Sequence, residues 1–354
     1  MKTEGGERRS AHRPFTGGGP TTHRDEQSHR VGWTGWAVSG LNGLFGDLLR
    51  DRQNGLALEM AFYEGGHPIP IRSGLERMGR PAQTRICILV HGLGCNEGIW
   101  AIPDSDRIDV DTSYGALLEA DLGYTPFYVR YNTGLSIAEN GQCLVSLVAD
   151  LVDAYPTEIE EIVLIGHSMG GLVLRSACHY GVQHASTWVE QVTRVFYLGT
   201  PHDGADLERV ASTMSAVLQA VSNPITRLVV DVLELRSQGV KDLQFGTLLE
   251  PDVMDDLPEG TPTHHRKAVP WLSQAQHYLI GGTLTDDPGH AASWVFGDGL
   301  VGNLPASGKR KTASGACGLP VENTRVFPGV HHIELARSRQ VYEQIRVWCE
   351  GEGG

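Results

Sequence analysis

The sequence contains no apolar run long enough to span a membrane, no internal repeat and no Asn-x-Ser/Thr sequon. A transmembrane helix needs about 20 consecutive apolar residues. Cysteine is sparse. Cys87, Cys95, Cys143, Cys178, Cys317 and Cys349 form no Cys-x-x-Cys pair and no zinc spacing, which excludes a zinc ribbon and a dithiol redox motif. Positive charge is also scarce: 29 Lys and Arg stand against 42 Asp and Glu, for a formal net charge of −13. Nucleic-acid binding needs a basic face to neutralise phosphates, so that class of partner is excluded. The first residues, MKTEGGERRSAHRPFTGGGP, lack the apolar core of a secretory signal. They read as a disordered tail to about Arg30, and the protein is expected in the cytoplasm with its thiols reduced.

What is present is an alternation of strand and helix patterns. Leu41 to Tyr63 reads as one or two helices ahead of the core. Thr84 to Gly92 (TRICILVHG) is a buried strand, and SYGALLEADLGY is a helix closed by Gly123. TPFYVRYN follows as a strand. Leu144, Leu147, Val148, Leu151 and Val152 then recur at helical spacing until Pro156. Further strands are expected at Arg194 to Pro201, Gln276 to Thr283 and Thr324 to Val330, before a last amphipathic helix, SRQVYEQIRVWCE. Strands alternating with helices predict an α/β fold with a doubly wound, mostly parallel sheet, in which ligands bind at the carboxyl ends of the strands. Between Pro201 and Gln276 the rhythm breaks. DLERVASTMSAVLQAVS and ITRLVVDVLELRSQGV read there as amphipathic helices, the makings of a lid.

The chemistry centres on IVLIGHSMGG, residues 162–171. With 44 glycines in the chain, Gly-x-Ser-x-Gly alone decides little. Its context decides more. Ile162, Val163, Leu164 and Ile165 make a continuous apolar strand, GLVLRSACHY makes a helix, and Ser168 lies at the sharp turn between them. Glycines at 166 and 170 allow strand and helix to approach, and the helix N-terminus favours a developing oxyanion at the serine. A second strand end, LVHGLG (Leu89 to Gly94), supplies a His-Gly-x-Gly loop. Its Leu93 N–H, with the N–H of Met169, would complete an oxyanion hole. His91 reads as a loop-orienting residue.

A serine nucleophile needs a base and an orienting acid. In chain order these should follow as acid, then histidine. Asp298 stands in a glycine-rich loop, FGDGLVGNLPASG, after the strand at Tyr278 to Gly282; Asp286 and Asp287 also follow that strand, and Asp203 follows the one before. His331 and His332 come directly after the last strand. Only one of two adjacent histidines can face the serine. His332 lies three residues before Leu335, a spacing His331 lacks.

Together these segments resemble the α/β-hydrolase superfamily, in particular bacterial lipases and inositol-deacylase-like serine esterases. The resemblance spans roughly Thr84 to Cys349. GHSMGG resembles the lipase elbow and implies Ser168 as nucleophile. VHGLG implies Leu93 and Met169 as oxyanion donors, DGLVG implies Asp298 over the other aspartates, and HHIEL implies His332. GTPHDGADLERV resembles the segment that precedes the lid. The expected organisation is a tail at 1–30, a helical leader at 31–80 and a hydrolase domain at 81–350 with a lid at about 205–270. The expected function is hydrolysis of carboxylic esters, lipid-like in character, through an acyl-serine; acyl transfer or thioester cleavage would use the same triad, and a non-enzymatic binding module would be expected to have lost a triad residue. No cofactor is implied. Secreted lipases often hold calcium, for which Glu334 and Asp286 or Asp287 could serve, but carboxylates in loops ordinarily face water and no metal is assigned. The expected partner is a small-molecule or lipid ester, with at most transient contact with a membrane surface.

Overall fold

A computed structural model of the chain describes residues 33–52, 54–72, 75, 82–103, 112–202, 237–250, 269–283 and 323–351. Its strands are β1 (Ala61–Glu64), β2 (His67–Pro68), β3 (Arg85–Val90), β4 (Tyr124–Arg130), β5 (Glu161–His167), β6 (Val192–Leu198), β7 (Gln276–Gly282) and β8 (Thr324–Phe327). They form one sheet in the order β2-β1-β4-β3-β5-β6-β7-β8. From β4 to β8 every neighbouring pair is parallel; β1 joins β4 and β2 antiparallel. The expected doubly wound, mostly parallel sheet is therefore what the chain builds.

Strand alternation sorts the core into two layers. Ile86, Ile88 and Val90 of β3, with Ile162 and Leu164 of β5, face one side. There they meet α3 (Ile137–Ala154) and α4 (Met169–Gln183). Cys87 and Leu89, with Val163 and Ile165, face the other side. They meet α2 (Tyr114–Leu122) and α6 (Arg339–Glu350). Both faces are covered, which is why these strands are apolar along their whole length rather than alternating with polar residues. Serines cap the helix starts, and α2 ends at the glycine expected to close it. Ser113 accepts the Ala116 N–H and Ser136 the Glu139 N–H, and Gly123 closes α2 in a left-handed conformation at φ 71°.

The leader differs from its reading. α1 (Trp33–Asp51) is helical, but residues 61–64 are strand, turned into β2 by Gly65 (φ 58°) and Gly66 (φ 84°). Two consecutive glycines with positive φ favour a tight two-residue hairpin over a helical continuation. The lid expected at about 205–270 lies mostly outside the described residues. Its 237–250 portion opens with a new helix, α5 (Gln238–Phe245), capped by Ser237, whose hydroxyl accepts the Val240 N–H. Asn42 of α1 fastens the leader on itself, donating to the carbonyls of Val38 and Leu56 and accepting from the Leu58 N–H.

On the second turn of α4, Arg175 reaches two points that lie far apart in sequence. It donates to His202 Nδ1 at 3.2 Å and to the Val269 carbonyl at 2.6 Å, while its guanidinium lies 4.2 Å from the Trp271 ring centroid. Nearby, His277 donates from Nε2 to the Leu272 carbonyl and accepts the Tyr197 hydroxyl at Nδ1.

The reversal of strand order lies between β3 and β5, so the crevice at their carboxyl ends is the place where a ligand would lodge. α4 crosses that crevice in close contact. A Cβ at Gly170 would overlap the Val90 carbonyl oxygen, and one at Gly171 would overlap Thr200 Oγ1. Because the first obstacle is backbone of a central strand, Gly170→Ala is expected to destabilise the fold by roughly 1–3 kcal/mol through overpacking. Gly55→Ala, where nothing lies within 4 Å, serves as the neutral control. Chemical denaturation of the two variants checks this; equal midpoints would refute the close approach.

Candidate active site

Ser168 is the residue between β5 and α4, and its backbone is at φ 54°, ψ −124°. A non-glycine residue there is strained by about 1–3 kcal/mol and persists only when its surroundings fix it. Three contacts do so. The Ser168 N–H donates to the Leu198 carbonyl at 2.8 Å, the Gly171 N–H donates to the Ser168 carbonyl at 3.1 Å, and a Cβ at Gly166 would lie 2.6 Å from the Gly171 Cα. The serine is nearly buried, at the first turn of the helix, where free N–H groups concentrate positive potential.

The 91–94 loop arrives from β3. A Cβ at Gly92 would be 2.9 Å from Ser168 Cβ and 3.1 Å from His167 Nδ1, so only glycine lets this loop pass the serine. Leu93 follows, buried, and among the described residues its N–H donates to no other group. Met169 is the first residue of α4, a position whose N–H has no partner within a helix. Its Cε would lie 3.2 Å from a Cβ at Gly239, so the first turn of α5 packs on Met169.

His332 comes from the loop after β8. Its ring lies against Gly199, with Nδ1 2.9 Å from where a Cβ would stand. Gly199 is next to Leu198, the residue that holds the serine amide, and its φ of 62° suits only glycine well. Ser168, Gly92, Met169 and His332 thus converge at the ends of β3, β5 and β6. His331 is exposed, and its N–H donates to Glu334 Oε2 at 3.1 Å. Leu335 is fully buried and packs on Gly199 and Gly282 beneath the loop. Asp298, Asp286, Asp287 and Asp203 lie outside the described residues.

Sequence reasoning missed His167. Its ring is fully buried, with its centroid 4.9 Å from that of His332, and Nε2 donates to the His332 carbonyl at 2.9 Å. Burial, reinforced by the neighbouring His332, pushes the His167 imidazole down to about 3. It is neutral, Nε2 carries the proton, and it braces the backbone of the next histidine. The signal was its place, one residue before the serine. Burial pushes the thiols of Cys95, Cys178 and Cys349 up to about 12, which keeps them protonated. Cys87, Cys95, Cys143, Cys178 and Cys349 form no disulfide, and among the described residues no cluster has metal-ligand geometry and no helix is long and apolar enough to cross a membrane.

A mostly parallel sheet covered on both faces, with a strained serine between strand and helix at its switch point, defines the α/β-hydrolase architecture. Residues 129–238, from the end of β4 through the elbow to the start of α5, match the family model of the PGAP1-like alpha/beta domain. No curated protein matches the sequence. Among solved structures, the chain is similar to a lipase-esterase related protein from Clostridium acetobutylicum (14% identity, 75% of this chain and 94% of that one, TM-score 0.37). It is likewise similar to the carboxylesterase CesB of Bacillus subtilis (13%, 88% and 99%, 0.39) and to a thermophilic esterase from Thermogutta terrifontis (15%, 75% and 89%, 0.37).

The buried histidines set an acid limit. Burial holds His91, like His167, down at about 3. Each takes up a proton near pH 6.5 when the chain unfolds but not while it is folded, so stability is full above that pH and falls as pH drops toward 3. At pH 5 the loss is about 2 kcal/mol for each of the two. Melting temperatures at pH 7.5 and pH 5 check this; a higher value at pH 5 would contradict the neutral, buried state.

Proposed function

We propose that the protein is a carboxylic-ester hydrolase working through an acyl-serine, with Ser168 as nucleophile, His332 as base, Asp298 as the orienting carboxylate, and the amides of Leu93 and Met169 as oxyanion donors. The observation that carries this reading is the strained Ser168, held by Leu198 beside the residue on which the His332 ring rests. His332 takes the Ser168 proton as Oγ attacks the ester carbonyl. The tetrahedral oxyanion falls between the two amides, which need not reorganise. His332 then returns the proton to the departing alcohol, and water repeats the sequence to free the acid. Asp298 holds His332 in the correct tautomer. The resemblance to lipases supports reading the acyl portion as apolar and lipid-like.

Ser168→Ala is expected to abolish turnover of p-nitrophenyl esters with the fold intact, and a fluorophosphonate probe is expected to label only Ser168. Labelling at another serine sinks the assignment. His332→Ala should reduce kcat by roughly 10⁴-fold or more. His331→Ala should change it little, since that side chain faces solvent. Asp298→Asn should cost about 10⁴-fold by favouring the wrong tautomer; wild-type turnover in that variant would transfer the role to Asp203, Asp286 or Asp287.

A further inference from the structure

Leu93 can donate to an oxyanion only if its N–H is aimed at Ser168, and the structure shows what aims it. The peptide between Gly92 and Leu93 is trans, like every other described bond, so the Gly92 carbonyl and the Leu93 N–H point in opposite directions. The carbonyl is held from behind by two donors: His91 Nδ1 at 2.9 Å and the Cys95 N–H at 3.2 Å. The Leu93 N–H is thereby turned the other way. The following peptide is held too, because the Gly94 N–H donates to Thr133 Oγ1 at 3.0 Å.

Thr133 belongs to a short segment that grips this loop and the turn after it from several residues. Arg130 donates to Glu97 through two nitrogens, both side chains buried. The Tyr131 hydroxyl donates to the His91 carbonyl at 2.8 Å, and its ring stacks on His91 with centroids 4.6 Å apart. Thr133 takes the Gly94 N–H. Asn132, between them, points to the leader instead: its Nδ2 donates to the Gly46 carbonyl of α1 at 2.9 Å, and its Oδ1 accepts the Gly134 N–H at 3.0 Å. The fit there is tight. A Cβ at Gly46 would overlap Asn132 Oδ1, and one at Gly134 would overlap the Asn42 carbonyl of α1.

We propose that Thr133 is a positioning residue for the Leu93 oxyanion donor, and that α1, through Asn132, is the outer brace that keeps Thr133 in place. The inference rests on the hydrolase reading above, and it gives the leader a role in the reaction. A threonine hydroxyl is well matched to this position. Buried to 1% exposure, it accepts one backbone N–H with no charge to desolvate.

The test uses the full chain. Thr133→Val keeps the shape and removes the acceptor; Thr133→Ser restores it. Thr133→Val is expected to lower kcat about 10- to 100-fold, approaching the loss of one oxyanion donor. KM should stay within about twofold, because the donor acts on the transition state. Binding of a trifluoromethyl ketone, which forms a tetrahedral oxyanion on the serine, should weaken by the same factor, and amides 92–95 should exchange hydrogen faster. Thr133→Ser should return all of these toward wild type. Gly46→Ala, made in α1 and remote from the serine in sequence, should repeat the pattern at reduced size. Wild-type kcat and exchange in Thr133→Val, or a kcat loss with unchanged exchange, overturns the proposal, as does an inert Gly46→Ala. The underlying reading fails separately. If Ser168 takes no fluorophosphonate while Thr133→Val still accelerates exchange, the grip on the loop stands and the oxyanion role of Leu93 is refuted.

Discussion

The carbonyl of Leu198 is the contact on which the site depends. Ser168 sits in a backbone region that costs an ordinary residue free energy, and its N–H donates to that carbonyl. The bond ties the end of β5 to the end of β6, next to the glycine against which His332 rests. Strain in the serine, close passage of α4 over Val90 and Thr200, and placement of the histidine are therefore one constraint seen from three sides. The glycines at 92, 166, 170, 171 and 199 belong to it, each standing where a methyl group would meet backbone or a buried side chain.

Around that point the two sides of the site are built differently. The histidine side relies on packing: Leu335 underneath, Gly199 against the ring, and His167 bracing the carbonyl. The amide side relies on hydrogen bonds between two neighbouring loops, those following β3 and β4. Packing tolerates small displacements. Amide direction does not, since a hydrogen bond weakens steeply as its angle closes. The denser polar network lies where orientation matters more than contact.

Much of this was legible in the sequence because it follows from local patterns. The run Ile162 to Ile165 before a glycine reads as a buried strand, and the serine after it stands where the elbow was expected. The resemblance of HHIEL to a lipase base segment, with a histidine three residues before a leucine, implied His332, whose ring lies on Gly199. Illegible features came from two sources. Residues 61–63 were absorbed into a helix because Leu41 to Tyr63 is apolar enough to mask the change of period, although Gly65-Gly66 is a hairpin signal. The pairings of Thr133 with Gly94, Asn132 with Gly46 and Arg175 with Val269 join residues 39, 86 and 94 positions apart. No periodicity in one stretch of chain reports which distant backbone group a polar side chain will find.

Arg175 carries a consequence for how such a chain can change. One guanidinium binds His202 and the Val269 carbonyl, the residues flanking the span 203–268. The two ends of that span are thereby held together on α4, the helix that begins directly after Ser168. Closure entropy grows slowly with loop length, by only about 0.6 kcal/mol for each doubling. Residues 237–250, within that span, are nevertheless fixed to the sheet: Val240 and Leu243 are buried in the core and Gly239 packs on Met169, so exchange of this portion would disturb the elbow even while the ends stay clasped. Arg175 thus gathers the two ends of the span at one point on α4, and their separation there does not depend on how many residues lie between them.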